Sequence, residues 1–163
     1  MSQIRNTMVE IPELKTDFVF RRQPVAIPGD LRPGWRLGLL VLLINTCCRS
    51  GRTSLTRLHV LSWGIRTKES RDAIVNLIDG TLSPDSLVVR FEPSLNRAVD
   101  FAIGEGLIRR FGGTKIELTP KGKALAEELA GADAAYMIEK EFMGTIRQGV
   151  TQTLVNGMFG GRS

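Results

Sequence analysis

The sequence contains little cysteine and histidine, which limits its metal and redox chemistry. Only two cysteines and one histidine occur among its 163 residues. Cys47 and Cys48 are adjacent, and a structural disulfide between neighbours is strained. Two thiols and His59 do not complete a usual zinc site. We therefore expect buried inert thiols, no metal, no cofactor and a reducing compartment, the cytoplasm.

The sequence also lacks a long apolar run. Its most apolar stretch, residues 37–44 (LGLLVLLI), is far too short to cross a bilayer. The first fifteen residues, MSQIRNTMVEIPELK, contain no apolar core of a signal peptide. These absences predict a cytoplasmic protein without a membrane partner.

Catalytic patterns are missing as well. Gly112-Gly113 lies between two short β-rich runs and is not a phosphate-binding loop between a strand and a helix. The lone His59 stands four residues before Trp63, a spacing more typical of a packed histidine than of a catalytic one. No acidic cluster has metal-binding spacing. We expect no catalytic residues, no enzyme activity and no small-molecule substrate.

Basic residues are in excess and are unevenly placed. The formal net charge is +5, and the segment from Arg21 to Arg71 holds ten basic residues against two acids, Asp30 and Glu69. A local positive field of this kind suits a polyanionic partner such as nucleic acid. A solvated basic surface explains the same pattern equally well.

Apolar periodicity predicts a chain of helices. Residues 35–46 are apolar on nearly every face, which is typical of a central helix. A second helix follows a cap at Thr53 or Ser54, and a third runs from about Thr67 to Gly80. A fourth begins near Pro93, where five apolar residues fall at i, i+3, i+4, i+7 and i+8: Leu95, Ala98, Val99, Ala102 and Ile103. Short strands are predicted at residues 17–21 and 87–91.

The segment after the fourth helix predicts the fold class. Residues 107–111 and 115–118 alternate as strands around Gly112-Gly113, and Thr119-Pro120 opens a fifth helix. A helix, a hairpin and a capped helix in this order are typical of an elaborated winged helix-turn-helix, mainly α with a small β-hairpin. We predict a flexible arm at 1–16, a winged-helix domain at 17–132, an amphipathic helix at 133–155 and a disordered tail at 156–163.

Two sets of residues are candidates for binding. Cations near the hairpin could bind phosphates without recognising the base sequence of the nucleic acid. Arg97 on the fourth helix could contact bases. The predicted nucleic-acid set is Arg97, Arg109, Arg110, Lys115, Arg57 and Arg66. For a protein partner we predict exposed Phe101 and a stripe on the last helix, Ile138, Phe142 and Ile146. Packing of that stripe inside the domain is an equal alternative.

The run EGLIRR…GGTKIELTPKGKALAEEL resembles the wing segment of many bacterial winged-helix proteins. The wider arrangement resembles the middle component of bacterial ABC-three-component systems. That resemblance covers roughly residues 17–131 and depends on the apolar helix ending in Cys-Cys, LHVLSW at 58–63 and RFEPSLNR at 90–97.

The resemblance implies a non-catalytic accessory subunit of a Lamassu-type antiviral defence complex. Its implied partners are an SMC-like coiled-coil ATPase and an effector, often a nuclease, with non-specific contact to double-stranded DNA left open. The implied role is to help couple sensing of foreign DNA to release of the effector. The alternative is a winged-helix transcriptional regulator. A regulator should present a donor-rich face on the fourth helix, whereas this sequence offers Arg97 offset by Asp100.

Overall fold

The computed structural model describes residues 33–160. Within this range the chain forms seven α-helices and one three-stranded antiparallel sheet, so the architecture is mainly helical with a small sheet, as predicted. The helices are α1 (Pro33–Cys47), α2 (Leu55–Arg66), α3 (Lys68–Ile78), α4 (Pro93–Gly104), α5 (Pro120–Gly131), α6 (Met137–Ile146) and α7 (Gln152–Phe159). The strands are β1 (Arg52–Ser54), β2 (Ile108–Phe111) and β3 (Lys115–Leu118), and short 3₁₀ turns cover Arg49–Gly51 and Pro84–Ser86.

Helix α1 is the centre of the fold. Every residue from Leu39 to Ile44 is buried, and α1 packs against α2, α4, α5 and α6. A helix with apolar residues all round must be covered on every side, because each buried leucine or isoleucine stabilises the fold by about 1.5–3 kcal/mol. The sequence prediction of a central helix is confirmed.

Polar side chains begin three of the helices where the sequence predicted them. The hydroxyl oxygens of Ser54, Thr67 and Thr119 each accept a hydrogen bond, at 3.1 Å, from the main-chain N–H three residues further on. Such a cap satisfies one of the N–H groups that the first helical turn leaves unpaired. The boundaries of α2, α3 and α5 are therefore set by local chemistry.

The sheet has the order β1-β3-β2. The predicted hairpin is present, and both glycines of its turn have positive φ, 54° at Gly112 and 87° at Gly113. The strand β1 was not predicted. It has only three residues, too few to show an alternating pattern, and it is recognisable as a strand only because Thr53 pairs with Ile116 of β3.

The prediction of a strand at residues 87–91 is wrong. The chain there is extended, with φ −92° and ψ 131° at Leu87, but no other described segment pairs with it. Its main-chain groups form no hydrogen bond with the residues between 33 and 160. A β-rich composition specifies an extended backbone, whereas a strand also needs a neighbour.

The C-terminal residues belong to the same core as the rest of the described chain. Helix α6 is shorter than predicted, and a further helix, α7, covers Gln152–Phe159, where part of a disordered tail was expected. Seven residues of this region are buried in the common core: Tyr136, Phe142, Met143, Ile146, Val150, Val155 and Met158. Residues 133–155 are thus not a separate amphipathic helix.

The predicted arm at 1–16, the strand at 17–21 and the last three residues lie outside the described range. Among the helices between Pro33 and Phe159, none has the length and apolar character needed to span a membrane.

Candidate nucleic-acid interface on the sheet

A row of three charged residues crosses the outer face of the sheet. Arg52 of β1 and Arg109 of β2 both pair in register with Glu117 of β3. Because side chains alternate between the faces of a sheet, these three residues share the face opposite the buried Ile116. The centre of the row is an acid and its two ends are arginines.

Glu117 orients both arginines. Its side chain is only 9% exposed, and its Oε2 accepts a hydrogen bond of 2.9 Å from Nε of Arg52. Its Oε1 accepts a hydrogen bond from Nε of Arg109, and Nη2 of Arg109 forms an ion pair with the same oxygen. Burial by itself raises the pKa of this carboxyl, but the hydrogen bonds and charges of the two arginines outweigh it, so the pKa is lowered. Glu117 therefore stays ionised and holds both guanidinium groups in place.

The arginines keep most of their surface in solvent. Their side chains are 60% exposed at Arg52 and 69% at Arg109. The Arg52 guanidinium also lies 5.2 Å from the ring centroid of Phe111, a cation–π contact. Lys115 is exposed and, by alternation, lies on the same face. We define these five residues as the basic face: Arg52, Arg109, Phe111, Lys115 and Glu117.

The basic face has a surplus of positive charge and donors held in fixed positions. It contains three cations, Arg52, Arg109 and Lys115, and one carboxylate, Glu117. An arginine presents five N–H donors, so each guanidinium keeps donors for a second acceptor after binding Glu117. Phosphate oxygens match this geometry, and the aromatic ring offers a stacking surface at one edge.

Arg109 and Arg110 do not contribute to the same binding surface. As neighbours on a strand they point to opposite faces. Nη2 of Arg110 lies 3.1 Å from Oδ1 of Asp100 on α4, which directs Arg110 away from the basic face. Of the predicted wing cations, the structure brings together Arg109 and Lys115.

The prediction that Arg57 extends an exposed basic patch is wrong. Arg57 is 9% exposed and lies inside the fold. Its Nε donates to the carbonyl of Val150 at 2.6 Å, and its Nη2 donates to the carbonyl of Cys47 at 2.9 Å. The Cys47 carbonyl is at the C-terminal end of α1, where a helix favours a cation. Through these hydrogen bonds Arg57, on α2, connects the end of α1 with the turn before α7.

Two further predicted cations are exposed but separate from the basic face. Arg66 forms an ion pair with Glu92, the residue before α4. Arg97 is exposed on α4 and has no ion-pair partner among residues 33–160. Neither residue belongs to the sheet.

The predicted partner-binding stripe divides between surface and core. Phe142 and Ile146 are 6% and 5% exposed, so their assignment to a docking face is wrong. They face the core because α6 packs against α1 and α3. Ile138 is 59% exposed and Phe101 is 37% exposed, and both stay available for a protein contact.

The thiols and the histidine are packed. Burial, with a smaller contribution from the neighbouring Cys48, raises the pKa of the Cys47 thiol to about 12. His59 is stacked on Phe91 with ring centroids 4.3 Å apart, and its Nε2 lies 3.1 Å from Oδ1 of Asn96. Across residues 33–160, no group of three or more histidine, cysteine or acidic side chains is placed to hold a metal ion.

The sequence did not identify Arg52 and Glu117 as site residues. Arg52 follows Ser50 and Gly51, and this run was interpreted only as a break between helices. The available signal was the alternation of Lys115, Ile116 and Glu117, which places the acid on the solvent face of the hairpin. The pairing with Arg52 joins residues 65 positions apart and is not visible in a local pattern.

Comparison of the chain with protein-family models, with curated proteins and with solved structures finds no match. The class of molecule is therefore defined by its architecture, a mainly helical domain with a three-stranded antiparallel sheet that carries a basic outer face.

Proposed function

We propose that this chain is a non-catalytic winged-helix subunit that contacts nucleic-acid phosphates through the basic face and acts within a larger assembly. The observation that carries the proposal is the pair of exposed guanidinium groups, Arg52 and Arg109, oriented by the buried carboxylate of Glu117. Contacts of this kind position a duplex without reading its sequence.

The order of the elements supports the winged-helix assignment. A strand, β1, stands between the first two helices, and the β2-β3 hairpin follows α4 and pairs with β1 through β3. In this arrangement the hairpin is the wing and α4 is the helix before it. The helix α3 and the segment from Asp79 to Glu92 are then insertions into the usual order.

Contact with the backbone is favoured over base reading because α4 combines a single cation with an exposed carboxylate, Asp100. Oδ1 of Asn96 lies 3.1 Å from Nε2 of His59, and the carboxylate of Asp100 pairs with Arg110. Arg97 is the one cation of α4. A helix that reads bases in the major groove usually presents several donors.

The proposed partners are an SMC-like coiled-coil ATPase and an effector subunit, in a complex of the type to which the sequence resemblance points. What supports a scaffold role is the absence, within residues 33–160, of a reactive thiol or a metal cluster. Exposed Phe101 and Ile138 are apolar contacts of the kind that a protein partner covers.

Co-expression with the neighbouring genes tests the assembly. We expect a tagged chain to copurify with a large ATPase and to retain it through gel filtration. A lone homodimer that footprints one promoter would support the regulator instead and overturn the proposal.

Titration with two unrelated duplexes of equal length tests the DNA contact. We expect equal affinities that fall together as salt rises, because released counterions drive such binding. A preference for one duplex that persists at higher salt would contradict a phosphate-only contact.

A further inference from the structure

A cleft with an apolar floor and a polar rim lies on the molecule away from the basic face. It has a volume of about 450 Å³ and is formed by α1, α2 and α4, with Glu139 of α6 at its edge. Its floor consists of leucine, isoleucine and alanine side chains: Leu39, Leu40, Leu43, Ile65, Leu95 and Ala98. Its rim is charged and includes the ion pair between Arg66 and Glu92. A cleft of this kind accepts an apolar segment with charges at its ends.

The described chain begins at the edge of this cleft. Pro33 is the first described residue, and Trp35 and Leu39, in the first two turns of α1, line the cleft. Thirty-two residues precede Pro33 in the sequence. That segment therefore joins the fold at the mouth of the cleft and needs no long connection to reach it.

The extended segment from Leu87 to Phe91 leads to the same place. Its main chain forms no hydrogen bond with any described residue, and it runs directly into Glu92 on the rim. An extended backbone with free N–H and C=O groups accepts an added segment readily. The cleft and the unpaired backbone thus meet at one point.

We propose that the cleft is occupied by the chain's own residues 17–22, Asp-Phe-Val-Phe-Arg-Arg. This run supplies Phe18, Val19 and Phe20 for the apolar floor. Its basic end, Arg21 and Arg22, complements the carboxylate of Glu139 on the rim.

The connection is long enough for this placement. Thirteen residues separate Phe20 from Pro33 in sequence number, and at roughly 3.3–3.6 Å per residue they span at most about 45 Å. Helix α1, with 15 residues, is only about 22 Å long. The inference does not depend on the proposed function, since it concerns contacts within one chain.

Trp35 reports on the cleft. The chain has two tryptophans, and the substitution Trp63→Phe leaves Trp35 as the only one. In this full-length background we compare Phe18→Ser/Phe20→Ser with the matched control Ile4→Ser/Met8→Ser, which changes two apolar residues outside the proposed occupant. The measurement is quenching of Trp35 fluorescence by acrylamide, with circular dichroism to confirm folding.

We expect about a twofold rise in the quenching constant for Phe18→Ser/Phe20→Ser and none for the control, because a covered indole becomes accessible. A peptide of residues 15–24, KTDFVFRRQP, should restore protection to the double variant, whereas the same peptide with both phenylalanines replaced by serine should not. If the double variant is quenched like its parent, or if the peptide has no effect, the proposal is overturned. Protection that appears only as protein concentration rises would make a second copy the occupant and would also overturn it.

Discussion

The hydroxyl of Tyr136 donates a hydrogen bond of 2.7 Å to the main-chain carbonyl of Trp35, 101 residues earlier. The two rings are stacked, with centroids 5.3 Å apart. Burial raises the pKa of Tyr136, so its hydroxyl stays protonated and remains a donor. This contact fixes the start of α6 against the first turn of α1.

The Tyr136 contact requires a glycine at position 38. A β-carbon at Gly38 would lie 2.2 Å from Oη of Tyr136, so Gly38→Ala should lower the free energy of unfolding by about 1–3 kcal/mol through overpacking. Gly34→Ala in the same helix meets no atom within 4 Å and is the control. Urea denaturation measures both, and equal stabilities of the two variants would contradict the prediction.

Arg57→Met should destabilise the fold by about 2–4 kcal/mol, because it leaves the buried carbonyls of Cys47 and Val150 without their donors. The matched control is Arg66→Met, which removes an exposed ion pair worth less than about 1 kcal/mol. Chemical denaturation gives both values. A destabilisation at Arg57 no larger than at Arg66 would show that the buried hydrogen bonds contribute little.

Phe142→Ala should cost about 3–5 kcal/mol, since the side chain is buried in the core and its removal leaves a cavity. Ile138→Ala, four residues earlier on the same helix and 59% exposed, should change stability by no more than about 0.5 kcal/mol. Thermal unfolding of both variants checks this difference. If Phe142→Ala left the stability unchanged, α6 would not be anchored in the core by this residue.

Stability should fall as the pH decreases below about 7, because burial lowers the pKa of His59 although Asn96 and Glu92 oppose the effect. A histidine with a lowered pKa in the folded state takes its proton first in the unfolded chain. The free energy of unfolding therefore decreases as the pH falls through about 6.5, the pKa of the histidine in the unfolded chain. It stops decreasing once the histidine of the folded chain is also protonated.

His59 is the only histidine, so His59→Gln isolates this effect. Denaturation between pH 5.5 and 8 should show a slope for the parent chain and a flatter line for the variant. If the stability of the parent chain and of His59→Gln changed equally with pH, other groups would be responsible for the pH dependence.

Arg52→Ala/Arg109→Ala should weaken binding to every duplex alike. The slope of log K against log salt should become shallower by about 0.9 for each phosphate that the variant no longer neutralises. The control Arg66→Ala/Arg110→Ala removes the same charge from two arginines that pair with acids away from the basic face. Fluorescence anisotropy at several salt concentrations measures both. An equal weakening in the two variants would show that net charge, and not the basic face, determines binding.

Much of the local structure could be predicted from neighbouring residues. The hydroxyl caps at Ser54, Thr67 and Thr119 act within three residues, and the glycine turn of the hairpin is equally local. The candidate site was harder to predict from the sequence. Lys115 and Arg109 were identified, but Arg52 and Glu117 were missed because their pairing joins distant strands.

The amino-acid sequence alone determined the elements whose physics is short in range: a central helix apolar on all faces, capped helix starts and a hairpin with residues of positive φ at its turn. Only the tertiary structure decided which charges reach solvent. Arg57 is buried because a carbonyl 93 residues away accepts its hydrogen bond, and Arg109 faces outward because β3 places Glu117 beside it. The exposure of a side chain depends on what packs against it, and those neighbours are brought together only by the folded chain.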